Sequence, residues 1–313
     1  MIDFLIYGKI IIDDILLADG AVVRSVLGGG GPQAAFGARL WHDSIGFLAR
    51  SGTDMAAQHV ETLEMLDIDL HGWARFANIP TPYNQLISYD KDGYFATGDR
   101  SHMVMALDRA AWDQLLAQPL ALPNTYQAPQ AIHLITEFAH EPMVETAHAL
   151  RKQGAFLSLE PIMDFRHWTN RGEMLEFFRQ VDMVTPDWPS ASGLAGSDEA
   201  LAVMRYWVRL GPRVIAIRHS EHGSYVWSAD EDQIWHIPAV AVNVIDPTGA
   251  GNAYGGGLLA GWMGSRDVKT AGCYGAVSAS FLVERVGLPA MGAALQRAAQ
   301  ERLQVALAAA SKM

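Results

Sequence analysis

From residue 105 onward the chain alternates between two kinds of segment. Short apolar runs of strand length at 131–135 (AIHLI), 155–160 (AFLSLE), 182–186 (DMVTP) and 213–218 (RVIAIR) are separated by stretches with helical spacing, such as 143–154 and 198–211. This pattern leaves little choice. Alternating strands and helices fold as βαβ units, and these build a parallel sheet covered by helices. The 313 residues are half apolar and only 18% charged, enough for one large buried core and too apolar for disorder. A single α/β domain over 1–313 is therefore expected. Two hairpin-like segments stand outside the alternation, one turning at Asp19-Gly20 and one within 81–99 at Asp92-Gly93. They predict a small β structure beside the main sheet. The segment 53–68 has helical periodicity, with Thr53 as its candidate N-cap.

Residues 246–257 read DPTGAGNAYGGG, with five glycines in twelve residues before an apolar helical pattern. Glycines at a helix N-terminus let backbone N–H groups point at an anion, and the helix dipole adds attraction. They also suit a tight strand-to-helix connection. A second cluster, Gly28 to Gly31, precedes Pro32 at a plausible first helical turn, and Asp13 lies at a strand end after Gly8. Ligands in open α/β sheets bind at the carboxyl ends of strands.

The net charge of −11 argues against nucleic acid or an anionic membrane as partner. Cys273 is the only cysteine, so no intrachain disulfide and no cysteine-based zinc site can form. The N-terminus lacks a basic segment before its apolar run, and no apolar run reaches the ~18 residues of a membrane span. A cytoplasmic protein is the expectation. Eleven histidines raise a metal site, but His219 and His222 fall in a turn, His133, His140 and His148 are scattered, and no HExxH occurs. No metal-ligating set is expected from them.

Nearly the whole chain, Gly8 to about Gly287, resembles the PfkB/ribokinase family of sugar and nucleoside kinases. Asp246-Pro247-Thr248-Gly249-Ala250-Gly251-Asn252 follows the family signature D-x-x-G-A-G-D. GKIIID places Asp13 on the family's sugar-binding aspartate, 28–38 falls on its G-G-x-x-x-N-x-A segment, and 218–224 (RHSEHGS) on its T-x-G-x-x-G-[AS] nucleotide segment. The resemblance implies a three-layer ribokinase-like sandwich with a mostly parallel sheet and a β lid, here about 10–26 and 73–104. It implies transfer of the γ-phosphoryl of ATP, with Mg²⁺, to a hydroxyl. Asp13, Gly28, Gly29 and Gln33 would meet the substrate. Gly249, Ala250 and Gly251 would form the anion hole, with residue 252 in the place of the base. Asp187, Arg218, Ser220, Gly223 and Thr248 would serve the nucleotide. Lids of several relatives pair between chains, which implies a homodimer through the lid.

The departures sit at functional positions. Asn252 replaces the base aspartate, and an amide cannot accept the proton, though it can orient the hydroxyl. The family's N-x-x-E becomes Asp187-Trp188-Pro189-Ser190, and Thr and Gly of the nucleotide segment become Arg218 and Ser220. Arg218 reads either as a cationic clamp on phosphate or as a surface arginine. Asp13 and Glu160 are the other carboxylates at strand ends, and Asp164 and Arg166 complete a charge set after Glu160. Asp14 should point away from Asp13 by alternation. Tyr83, Asn84 and Gln85 are candidates to bond substrate hydroxyls, and Trp73 and Phe95 to stack on a ring. Two readings stay open: a small-molecule kinase with an unusual base arrangement, and a kinase-fold protein that binds a sugar or nucleotide without turning it over. If only the base is missing, Asn252→Asp should gain something near the ~10²–10⁴ of general-base help.

Overall fold

The computed structural model describes residues 1–89, 104–105, 109–163 and 167–313, and the side chains of Asn84, Gln85, 104–105 and 109–112 are outside that description. The turn at Asp92-Gly93, Phe95, Asp164 and Arg166 also lie outside it. In chain order the elements are β1 (Phe4–Tyr7), β2 (Ile11–Leu16), β3 (Val22–Gly28), α1 (Gly31–Arg39), β4 (Ile45–Gly52), α2 (Ala57–Glu64), β5 (Asp69–Phe76), β6 (Tyr83–Ile87), β7 (Val104–Met105) and α3 (Arg109–Ala117). Then follow β8 (Ala131–Thr136), α4 (Pro142–Lys152), β9 (Phe156–Pro161), α5 (Arg171–Phe178), β10 (Met183–Val184), α6 (Trp188–Ala195), α7 (Ala200–Val208) and β11 (Val214–Arg218). The chain ends with β12 (Ser224–Ser228), β13 (Ile234–Ile237), α8 (Ala250–Ser265), α9 (Val268–Val283), α10 (Ala293–Ala309) and β14 (Ser311–Lys312).

The large sheet has the order β14-β13-β12-β11-β10-β9-β8-β1-β4-β5 among the described residues. Pairing is parallel from β11 to β5 and antiparallel from β11 to β14. Side chains alternate between its two faces, as the pleat requires. Phe4 and Ile6 of β1 join one core with Phe36, Leu258, Trp262 and Phe281, whereas Leu5 and Tyr7 join the other with Phe178 and Trp207. Val214 and Ala216 of β11 divide from Ile215 and Ile217 in the same way. The result is a three-layer ribokinase-like sandwich. Both faces are covered, which explains why the strand sequences read as continuous apolar runs.

Trp207 anchors the second layer. It is fully buried, 4.9 Å from the Phe178 ring, and its indole N–H donates to the Ala191 carbonyl at 3.2 Å. Trp207→Ala is expected to lose about 3–5 kcal/mol. Urea unfolding measures this, and a loss under about 1 kcal/mol would mean that the layer of α5 to α7 is not packed as described.

Asp13, expected at a strand end after Gly8, lies inside a second strand instead. Strand β1 enters the large sheet, while β2 leaves for a small sheet of order β3-β2-β6-β7. The lid expectation needs a further correction, because residues 73–76 belong to β5, which pairs with β4 at the edge of the large sheet. Trp73 is held there by its N–H, which donates to Ser51 Oγ at 2.9 Å. Thr53 is not the N-cap of α2; that helix starts after Ala56, with no side-chain cap. The neighbouring Asp54 accepts from the Thr81 N–H and hydroxyl, which ties this loop to the entry of β6 instead.

Candidate active site

Asp13, at the middle of β2, is buried; it pairs with Val26 of β3, and its carboxylate lies over the diagonal neighbour Gly28. A Cβ on Gly28 would lie 1.7 Å from Asp13 Oδ2, so only glycine leaves room for this carboxylate. Asp14 points elsewhere, as alternation predicts. It accepts from Tyr83 Oη at 2.5 Å, from the Ser25 N–H and from Arg24. The Tyr83 hydroxyl, a candidate for substrate, is thus engaged by Asp14.

The chain then turns through Gly29 and Gly30 into α1, where Gln33 is buried and donates to the Leu27 carbonyl at 2.9 Å. This turn meets the signature loop at two places. Gln33 packs on Gly249, and the Asn252 amide lies against Gly30. The two glycine clusters, more than two hundred positions apart in the sequence, therefore form one site.

The signature loop is folded by its first aspartate. Asp246 Oδ1 accepts from the Thr248 N–H at 3.0 Å and the Thr248 hydroxyl at 2.6 Å. Burial pushes the Asp246 carboxyl up, and the two Thr248 bonds only partly oppose this. Gly249, at φ 76°, is the N-cap of α8, and no side chain caps the helix. The Ala250 N–H is taken by the Pro247 carbonyl at 3.2 Å, so among the described residues Gly251 and Asn252 carry the open donors that a helix start leaves for an anion. Thr248 and Ala250, both site candidates, thus use their own polar groups to shape the loop. Gly255 borders the site, since a Cβ there would lie 2.8 Å from Glu160 Oε2 and 2.9 Å from His133 Nε2. A Cβ on Gly256 or Gly257 would instead press on the Ala34 carbonyl of α1 or on Ser278 of α9, so these two glycines let α8 pack closely on those helices.

Asn252 does not stand alone. Its Nδ2 donates to Glu160 Oε1 at 2.9 Å, and Arg218 Nη1 donates to the same oxygen at 2.8 Å. Glu160 lies at the end of β9 and is 3% exposed. His133 Nε2, from β8, is 3.6 Å from Glu160 Oε2, while His133 Nδ1 meets Ser158 Oγ at 2.8 Å. Burial pushes the Glu160 carboxyl up, but the Arg218 charge and the His133 contact outweigh it and hold the group below the ordinary carboxylate range. The Arg218 guanidinium lies directly on Gly251, where a Cβ would come within 1.9 Å of Nη1. Arg218 is neither a surface arginine nor a lone clamp. It is one half of a buried ion pair at the first turn of α8, and its Nε is buried with no hydrogen-bond partner among the described residues.

Asp187 is bridged to Arg218 through the backbone and caps α6, its Oδ1 accepting from the Ser190 N–H at 3.0 Å. Ser220 and Gly223 occupy the turn after β11. Ser220 is exposed, and among the described residues its side chain makes no hydrogen bond to the Asn252 cluster. In the same turn His219 stacks on Trp188 at 3.9 Å, and burial, aided by His222 and His236, pushes its imidazole down to about 4. In the sequence His133 is set aside among scattered histidines. The signal was a histidine inside an otherwise apolar strand, a placement that requires a partner. Among the described residues no group of three or more His, Cys, Asp or Glu could hold a metal ion.

Residues 1–291 match the family described as pfkB family carbohydrate kinase. The chain belongs to the pfkB family. Among its relatives is a cytidine kinase of Thermococcus kodakarensis, 23% identical over 272 residues, covering 86% of this chain and 91% of that protein. A fructokinase of Klebsiella pneumoniae is 28% identical over 269 residues, covering 82% and 83%. The crystal structure of a fructokinase from Vibrio cholerae O395, in its fructose, ADP and calcium ion bound form, superposes with a TM-score of 0.75 at 19% identity, covering 97% of this chain and 99% of that one.

Proposed function

We propose that this pfkB-family chain moves the γ-phosphoryl group of ATP to a hydroxyl of a sugar or nucleoside. The observation that carries this reading is the junction of the two glycine clusters: a buried acceptor, Asp13, on one side and the open first turn of α8 on the other, meeting at Gly30 and Asn252. The relatives named as cytidine kinase and fructokinase support the substrate class. Asp13 and Gly28 would hold the acceptor, and the N–H groups of Gly251 and Asn252 with Arg218 would face the phosphates. Asp187 suits the Mg²⁺ that accompanies a nucleotide, since that ion takes one or two carboxylates and fills its shell with phosphate and water. The ion would neutralise charge on the phosphates.

The amide at 252 fits this chemistry better than its replacement of a base suggests. Phosphoryl transfer has a loose transition state, and catalysis is mostly positioning and charge stabilisation. Asn252 orients the attacking hydroxyl, whose proton leaves to a phosphoryl oxygen. ATP turnover with Mg²⁺ across a panel of sugars and nucleosides tests the reading. Turnover of one compound is the expected result. Thermal shifts without turnover would make this a ligand-holding protein. Asp13→Ala should raise the acceptor KM about 10–100-fold, the value of a charged hydrogen bond, and leave the thermal shift by ADP unchanged.

The reading includes a homodimer through the small sheet. Among the described residues its outer strand β3 has an open edge, with Val22 exposed, a feature that invites pairing. A monomeric mass at micromolar concentration would remove it. No helix among the described residues is long and apolar enough to cross a membrane.

A further inference from the structure

One oxygen of Glu160 receives two donors, Asn252 Nδ2 at 2.9 Å and Arg218 Nη1 at 2.8 Å. A carboxylate only accepts, so the amide must turn its nitrogen toward Glu160. Its Oδ1 is then on the side of the amide away from Glu160, while Gly30 lies against the amide as a whole, an added Cβ at that glycine being 2.9 Å from Nδ2, 3.1 Å from Cγ and 3.2 Å from Oδ1. We propose that Glu160 is the positioning residue of this site: it turns Asn252 so that its carbonyl oxygen receives the acceptor hydroxyl, and it holds Arg218 against the first turn of α8. This rests on the phosphotransferase reading above.

Glu160 is poorly placed to be the base itself. Its Oε1 already carries two donors, and the whole side chain is buried. A carboxylate held ionised by a guanidinium is a weak proton acceptor. Its use lies in direction and charge. The residues compensate one another: where the family resemblance puts a carboxylate at 252 and a hydroxyl at 218, this chain has an amide and a guanidinium. Among the described residues the cluster then has one carboxylate, Glu160, to one guanidinium, Arg218, with His133 3.6 Å from Glu160 and the Tyr254 hydroxyl within the field of Arg218 as further titratable groups.

The simple restoration Asn252→Asp consequently creates a conflict. Two carboxylates would share a site with one guanidinium, and one of them must keep its proton. The folded protein would bind that proton more tightly than the unfolded chain, so stability falls as pH rises. The expectation of a gain from Asn252→Asp alone is thereby reversed. Asn252→Asp combined with Glu160→Gln restores one carboxylate to one guanidinium.

The test compares wild type, Glu160→Gln, Asn252→Asp and the double variant, by urea unfolding at pH 5.5 and 8 and by steady-state kinetics with Mg·ATP and the acceptor that the panel identifies. Relative to wild type, the unfolding constant of Asn252→Asp should rise at least about tenfold from pH 5.5 to 8, and this rise should vanish in the double variant. Glu160→Gln should lower kcat about 100-fold, as misplacement of reacting groups does, with the acceptor KM within about threefold. The double variant should turn over faster than Asn252→Asp, with a new acidic limb in its pH–rate profile. An Asn252→Asp protein with wild-type pH dependence would overturn the proposal, as would one faster than the double variant. If wild type transfers phosphate to no compound, the phosphotransferase reading fails by itself, and the unfolding comparison still decides whether Glu160 grips residue 252.

Discussion

Arg218→Ala is expected to lose about 3–5 kcal/mol at pH 8, the cost of removing one partner from a buried ion pair. Glu160 is buried and Arg218 largely so, with side-chain exposures of 4% and 15%. Without the guanidinium, Glu160 keeps, among the described residues, the Asn252 amide and the nearby His133. Burial is then the dominant influence, and it raises the carboxyl pKa above that of the unfolded chain. The folded state holds the extra proton, so the loss should be smaller at pH 5 than at pH 8. Wild type behaves the other way: its Glu160 is held low, and the stability it contributes is present above the ordinary carboxylate range and lost as pH falls below it. Urea unfolding at the two pH values distinguishes the cases. An Arg218→Ala protein that loses under 1 kcal/mol at both would show that the pair is open to solvent. Arg218→Lys keeps the charge but not the planar fork, and should recover stability more fully than activity.

Gly249→Ala should lower kcat by about 10²–10³, the range for loss of a transition-state hydrogen-bond donor. Two separate obstacles meet an alanine there. The backbone sits at φ 76°, a region that costs an L-residue about 1–2 kcal/mol, and the new Cβ would lie 2.3 Å from Gln33 Cγ. The easiest relief is a shift of the loop away from Gln33. That shift moves the N–H groups of Gly251 and Asn252 relative to the pocket at Gly30. A folded variant with nearly wild-type KM for the acceptor and a large fall in kcat is the expected pattern. Full activity in this variant would mean that the first turn of α8 does not face the transferred group.

The fold was legible because its signal is periodic. Strands buried on both faces give uninterrupted apolar runs, and the helices between them keep a single apolar stripe. The junction of Asp13 with the signature loop was legible only through the family resemblance, since no spacing rule brings residue 28 to residue 249. The Glu160 cluster was not legible. Arg218 and Glu160 are 58 positions apart, and Glu160 and Asn252 are 92 apart, on three different elements. Each residue by itself reads as ordinary: a strand-end acid, a strand-end base, an amide at a helix start. Gly255 to Gly257 were grouped with the anion-holding glycines because they are contiguous with them. Gly256 and Gly257 do a different task, that of bringing α8 close to α1 and α9, while Gly255 leaves room for Glu160 and His133.

That close fit has a bearing on how the chain is made. The Trp41 indole N–H bonds to Ser278 Oγ, 237 residues later, and α1 has its main packing partner in α8. At ~5–20 residues per second, a ribosome needs roughly 10–50 s to cover that distance. Throughout this interval the face of β1 and β4 that carries Phe4, Ile6 and Phe47 has α1 packed on it but lacks the α8 and α9 part of its core. The nascent chain is thus a client for holding chaperones until α8 and α9 emerge, and a fragment that stops short of residue 250 should be recovered aggregated or degraded.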